Sequence, residues 1–238
     1  MVEPLRLEVC VDTPDGLEIA LAAGADRIEL CAALALSGLT PAPGLMAQAT
    51  GRNVWPMIRP RAGGFVFSPA EVDAMRRDID AARAAGLPGV VLGASRPSGE
   101  LDADLLADLI DHAAGLGVAL HRAFDQAPDL SAALETAVAL GFERVLTSGG
   151  ARTAPEGVDR LAELVALAGD RIVIMAGSGV TAANVADLVR RTGVKEVHGS
   201  CSAPAQTLAV DPLGFDPPGR REISAEVVRA MVSALRSV

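Results

Sequence analysis

Ala22-Ala23-Gly24-Ala25-Asp26-Arg27-Ile28-Glu29-Leu30 closes one structural element and opens another within nine residues. A helix that stops just before a strand needs a residue tolerant of positive φ at its C-cap, and Gly24 is that residue. The pattern of glycine, short spacer and aliphatic strand returns in AAGLPGVVL (84–92), GLGVALHR (115–122), ALGFERVL (139–146), LAGDRIVIM (167–175) and RTGVKEVHG (191–199). Gly24, Gly51, Gly86, Gly117, Gly141, Gly169 and Gly193 recur at a mean interval of about 28 residues, the size of one helix-plus-strand unit. Working outward, eight strands emerge: LEVCV, RIEL, VWPMI, GVVLG, VALHR, RVLTS, IVIMAG and EVHG. Helix starts fall between them. Ser68-Pro69-Ala70-Glu71 is a capping box with proline at the first helical position, Thr13-Pro14 repeats that placement, and Thr181 and Ser224 stand where N-caps belong.

Eight strand-then-helix units predict an α/β fold, a single-domain TIM-like (β/α)8 barrel over residues 1–238. A Pro/Gly-rich loop at about 203–221 precedes the last helix. An open doubly wound sheet is the competitor, but no Gly-x-Gly-x-x-Gly follows the first strand. Composition agrees with the barrel: half of the 238 residues are hydrophobic, yet there are only 5 Phe, 1 Trp and no Tyr, so Ala, Val, Leu and Ile must fill the core. The same scarcity removes the stacking platforms of single-strand binders, and a net charge of -9 argues against nucleic acid and anionic membranes. Three cysteines, no signal-peptide pattern and no long apolar run point to a cytoplasmic chain without a disulfide framework.

In a barrel, chemistry gathers where strands end. Strand one ends Glu8-Val9-Cys10, strand two Glu29-Leu30-Cys31 and strand eight Glu196-Val197-His198, so three times a glutamate stands two residues before a thiol or imidazole. Alternation puts each pair on one face, predicting a carboxylate layer beneath a Cys10, Cys31 and His198 layer. A buried carboxylate needs a partner, and Arg59 and Arg61 on the next strand are the expected ones, Glu29 above all, with donors left for a ligand. His121 ends strand five, with Asp125 on the same face if the strand continues; Arg122 faces the other way. Ser148-Gly149-Gly150 and Gly177-Ser178-Gly179 are turns able to hold an anion. Each residue also has a plainer reading. Lone cysteines are more often core, a strand-end glutamate can merely plug a barrel mouth, and any barrel needs glycine in its turns.

The segments LEVCVD, GADRIELCAAL with SGLTP, PMIRPR, HRAFD, RVLTSGG, IMAGSGV and EVH resemble, in order and spacing, the CutC copper homeostasis family from Leu7 to about Ser202. That resemblance implies a TIM-like barrel, cytoplasmic and oligomeric as a homodimer or larger, linked to copper binding or trafficking. The family's motif positions fall on Glu8, Cys10, Glu29, Cys31, Arg59, Arg61, His121, Arg122, Asp125, Ser148 and His198. Departures exist: Gly64 stands where an acid is usual after strand three, and Cys201 replaces a serine.

Two functions follow. Copper, as Cu(I), would take Cys10, Cys31 and His198, because soft ions prefer thiolate and imidazole. Alternatively, a lyase, isomerase or hydrolase would hold a small anionic metabolite on Arg59, Arg61, Arg122, Ser148, Gly149, Gly177 and Gly179. Glu8, Glu29, His121 and Asp125 would then exchange protons. A barrel serving only as an interaction scaffold is the third reading.

Overall fold

The computed structural model describes residues 4–205, Leu213 and 219–238. Eight parallel strands form its centre: β1 (Arg6–Val11), β2 (Arg27–Leu30), β3 (Val54–Pro56), β4 (Gly89–Leu92), β5 (Gly117–Leu120), β6 (Arg144–Thr147), β7 (Val173–Ala176) and β8 (Glu196–Gly199). Their lateral order is β3-β2-β1-β8-β7-β6-β5-β4. The remaining gap is closed between β3 and β4 by a Met57–Val91 bridge and by the Ile58 N–H donating to the Val91 carbonyl at 2.7 Å. The eight expected strands are therefore the staves of one barrel.

Helices wrap it: α1 (Pro14–Ala22), α2 (Pro43–Gln48), α3 (Pro69–Ala84), α4 (Ala103–His112), α5 (Leu130–Ala139), α6 (Val158–Ala168), α7 (Val185–Thr192) and α8 (Ala225–Arg236). Their starts follow local chemistry. Thr13 and Ser224 accept from the Gly16 and Val227 N–H groups, and both halves of the Ser68/Glu71 capping box form. Thr181 is not a cap. Its carbonyl and N–H make a turn with Asn184, and α7 begins one residue later. Among the marker glycines, Gly24, Gly51, Gly86, Gly141, Gly169 and Gly193 have positive φ, whereas at the fifth junction Gly115 takes that role. Gly117 serves packing instead: a Cβ there would lie 2.5 Å from Trp55.

Two segments depart from regular strand-then-helix units. β5 stops at Leu120, His121 caps a 3₁₀ turn over Arg122–Gln126, and only then does α5 begin. A 3₁₀ turn at Leu34–Leu36 and the short α2 stand in for a full helix after β2. The ends of the Pro/Gly-rich segment pair as antiparallel β9 (Ser202–Pro204) and β10 (Arg221–Ile223); most of the segment between them lies outside the described residues. Among the described residues no helix is long and apolar enough to cross a membrane.

The main aliphatic core lies between strands and helices, not inside the barrel. Outward-facing Leu7, Val9, Ile28, Leu30, Val90 and Leu92 join the helices there. The barrel interior holds a small cluster of Cys31, Trp55, Met57, Val91 and Ala119. Beside it is an ionic plug in which Arg27 bonds Glu8 and Glu196, and Arg144 Nε lies 3.3 Å from Glu196. The Trp55 ring underlies both guanidiniums, 4.4 Å from Arg144 and 6.0 Å from Arg27. The aliphatic filling expected from the scarcity of aromatics is thus corrected for the interior, whereas the inward carboxylates of β1 and β8 stand where alternation put them. Alternation does place one face of every strand inward, but on β1, β2, β6 and β8 that face is charged.

Candidate functional site

The register of the first strands decides which residues meet. Glu8 lies opposite both Arg27 and His198, and Cys10 lies opposite Glu29. β2 is therefore shifted by one inward-facing position relative to the expected layers, a consequence of the stagger that closes a barrel. Glu29, not Cys31, is the neighbour of Cys10. Donor atoms of Cys10, Glu29 and His198 all lie within 4.8 Å of one another. Cys31 sits one step farther along, fully buried, its thiol 3.6 Å from a Glu29 oxygen. Burial, then the Glu29 charge, push the Cys31 thiol well above its ordinary range.

His198 is oriented by the strand beside it. Its Nδ1 is 2.8 Å from Glu8 Oε1, leaving Nε2 toward Glu29 at 3.8 Å. Burial alone would strip its proton, but Glu29, Cys10 and Glu8 more than offset that, and the imidazolium is favoured well above the usual range. Burial likewise opposes ionisation of Glu8, yet His198 and Arg27 hold its carboxyl down at about 2. Glu29, without such a partner, is raised by burial, and its Oε1 makes no hydrogen bond.

The expected clamp of Arg59 and Arg61 on Glu29 does not form, since Arg27, two residues before Glu29 on the same face, supplies the plug's guanidinium. Arg59 instead donates to the carbonyls of Leu36, Ser37, Gly38 and Gly63. Arg61 leaves the mouth for Glu71 of the capping box and the Ala62, Gly64 and Val66 carbonyls.

Asp125 reaches the mouth by a different route from the one expected. The strand has ended, and the 3₁₀ turn swings its carboxylate into the turn after β6. There it accepts from Thr147 Oγ1 at 2.5 Å, from the Ser148 N–H at 3.1 Å and from the Gly150 N–H at 3.0 Å. Arg122 follows it over the mouth rather than facing the helices, bonding Asp125 at 2.7 Å and Ser148 Oγ at 2.7 Å. The anion cradle read at Ser148 and Gly149 is thus filled by the protein's own carboxylate. Gly177 is needed for packing, since a Cβ there would lie 2.4 Å from Leu146. Gly179 keeps a left-handed φ of 69° and stays on the cavity wall.

These groups open onto a cavity of about 1090 Å³, lined by Cys10, Glu29, Arg59, His121, Arg122 and His198, and also by Arg221 and Ile223 of β10. Cys201 is buried in the aliphatic core, its thiol pushed up to about 11 by burial and by Cys10. All three cysteines are free thiols. Sequence reading passed over Arg27, Arg144 and Phe65. The period-two alternation that selected Glu29 and Cys31 equally marks Arg27 as inward.

Residues 5–203 match the CutC family model. A family protein CutC of Caulobacter vibrioides is 59% identical over 240 residues, covering 98% of this chain and 97% of that protein. Among solved structures, CutC of Streptococcus agalactiae, provisionally assigned to copper homeostasis, superposes with a TM-score of 0.78 at 33% identity, covering 82% of this chain and 98% of that one. A deoxyribose phosphate aldolase from Aeropyrum pernix reaches a TM-score of 0.60 at 15% identity over 82% of this chain and 85% of its own, a likeness of fold alone. With its barrel and nearly its whole length matched in this way, the chain belongs to the CutC family.

Proposed function

We propose that the protein binds copper at the barrel mouth, through the Cys10 thiolate and His198 Nε2, with the Glu29 carboxylate alongside. The observation that carries this reading is the convergence of those three donors within 4.8 Å while Glu8 takes the other nitrogen of the same imidazole. A ligating histidine characteristically gives its second nitrogen to a carboxylate, which fixes ring and tautomer. The donor set suits the ion: thiolate and imidazole are ligands that Cu(I) accepts, and a reducing, cytoplasmic setting would keep Cys10 free for it. In place of the three soft donors read from sequence, Cys31 gives way to Glu29. The copper ion is here the cargo, bound or passed on, rather than a resident catalyst.

The acid–base alternative has less support. Of its four groups, Glu8 is committed to Arg27 and His198, and Asp125 to five donors. Competition for Cu(I) against a chromophoric chelator tests the reading. Cys10→Ser is expected to weaken copper binding by at least about 100-fold, whereas Cys31→Ser changes it little. Equal affinity of the wild type and Cys10→Ser would remove the proposal.

A further inference from the structure

Three arginines are buried in the barrel, and two of them meet carboxylates. Arg27 pairs with Glu8 and Glu196, and Arg144 with Glu143 and Glu196. Arg59, at 6% exposure, is the exception. Its Nη atoms are spent on four carbonyl oxygens at 2.8 to 3.3 Å, and among the described residues no carboxylate pairs with it. Among the described residues its Nε–H has no partner. A buried cation balanced only by neutral dipoles is costly, and so is a buried donor left unsatisfied.

His121 belongs to the same corner. It is 3% exposed, its ring centroid lies 4.7 Å from that of Phe65, and the Arg59 guanidinium stands 5.2 Å from the same Phe65 centroid. Nδ1 accepts from the Ala123 N–H at 3.1 Å, so the proton of the neutral ring is on Nε2, which also lacks a partner. Both residues line the 1090 Å³ cavity, although Arg59 Nε and His121 Nε2 themselves have almost no accessible surface, so a ligand must part the lining to reach them. A small anion would supply the missing negative charge and acceptors for the two unsatisfied N–H groups.

We propose that Arg59 and His121 form a binding site for a small organic carboxylate, Arg59 giving the counter-charge and its Nε–H, and His121 giving its Nε2–H. Carboxylate is favoured over phosphate because the peptide N–H groups of Ser148 and Gly150, which would have cradled a phosphate at the sixth strand, already serve Asp125. The site uses none of the three donors assigned to copper and does not rest on that reading, although both open to one cavity.

The test uses chelator-treated, full-length protein. Pyruvate, malonate and inorganic phosphate are titrated separately by calorimetry, and the His121 Nε2 resonance is followed by ¹⁵N NMR. At least one carboxylate is expected to bind saturably and to move that resonance. In His121→Asn the side-chain oxygen can still accept from the Ala123 N–H, as asparagine does at helix starts. This variant is expected to bind the carboxylate at least about 10-fold more weakly, the loss of one hydrogen bond to a charged group, with Cu(I) competition unchanged. Absence of saturable carboxylate binding, binding of phosphate alone, or equal affinity in His121→Asn would each overturn the proposal. A failed copper titration would leave this result standing, since no metal is present in the assay.

Discussion

Glu8 holds two opposite obligations in one carboxylate. One oxygen meets Arg27 in the plug and the other meets His198 at the mouth, so the pair stabilises a proton on the imidazole that a metal must displace. Copper affinity is therefore expected to rise with pH, by roughly tenfold per unit for each proton released. Glu8→Gln removes one of the groups that favour the imidazolium, after Glu29 and Cys10, and the steep part of that dependence is expected to move to lower pH. An unchanged profile in chelator competition would show that His198 is not a ligand. His121 gives a second prediction. Burial, and then the charge of Arg59, hold its pKa down at about 3, whereas in the unfolded chain it is ordinary, about 6.5. Between those values the unfolded state binds the extra proton, so stability falls as pH drops from about 6.5 toward 3, by up to about 1.4 kcal/mol per unit. Glu8, held at about 2, adds to the loss below about 4.5, because its proton too binds the unfolded chain first. Urea denaturation at pH 6.5 and pH 4.5 is expected to show a smaller drop in His121→Asn than in the wild type, and equal drops would contradict a neutral, buried His121.

At the scale of elements, the strands were readable because each carries its own boundary signals, while their mutual stagger has no local signature. Residues 27–30 read as a strand from sequence alone, and so do the seven others. That Glu29 would face Cys10 depends on how far β2 slides against β1 when the barrel closes, a property of all eight strands together. The same limit hid the partner of the buried glutamates: Arg27 and Arg59 are both inward-facing, and only the register tells which reaches Glu8. Asp125 would share the face of His121 only if the strand continued, whereas the chain turns after Leu120 and brings Asp125 to the β6 turn by helical rather than extended geometry. Elsewhere the elements explain their glycines. β4 and β5 both begin with glycine because Trp55 fills the space a side chain would need; at Gly89 a Cβ would lie 2.6 Å from the ring and 2.7 Å from the Gly117 carbonyl oxygen. Gly89→Ala is expected to destabilise by about 1–3 kcal/mol. Gly44→Ala, in α2 with nothing within 4 Å, is expected to stabilise by about 0.5–1 kcal/mol. Thermal unfolding of the two variants checks the contrast, and equal effects would refute the wedge role of Trp55.

At the scale of the molecule, the barrel divides its work along its axis. The lower interior is an ionic plug of Glu8, Arg27, Arg144 and Glu196 over Trp55, which closes the barrel with expected carboxylates on arginines other than the expected ones. Above it the same strands present Cys10, Glu29 and His198 to the cavity. The two levels are joined through Glu8, so a rigid plug fixes the orientation of the histidine above it. The net charge of -9 says little about this interior, where the buried arginines and glutamates largely cancel and Arg59 alone among the three buried arginines lacks a carboxylate. X-ray absorption at the copper edge of the Cu(I)-loaded protein tests the central claim most directly. The geometry of Cys10 and His198 predicts one sulfur and one imidazole nitrogen around the ion, with the sulfur lost in Cys10→Ser. A site of two sulfurs without imidazole would place copper between Cys10 and Cys31 and contradict the account.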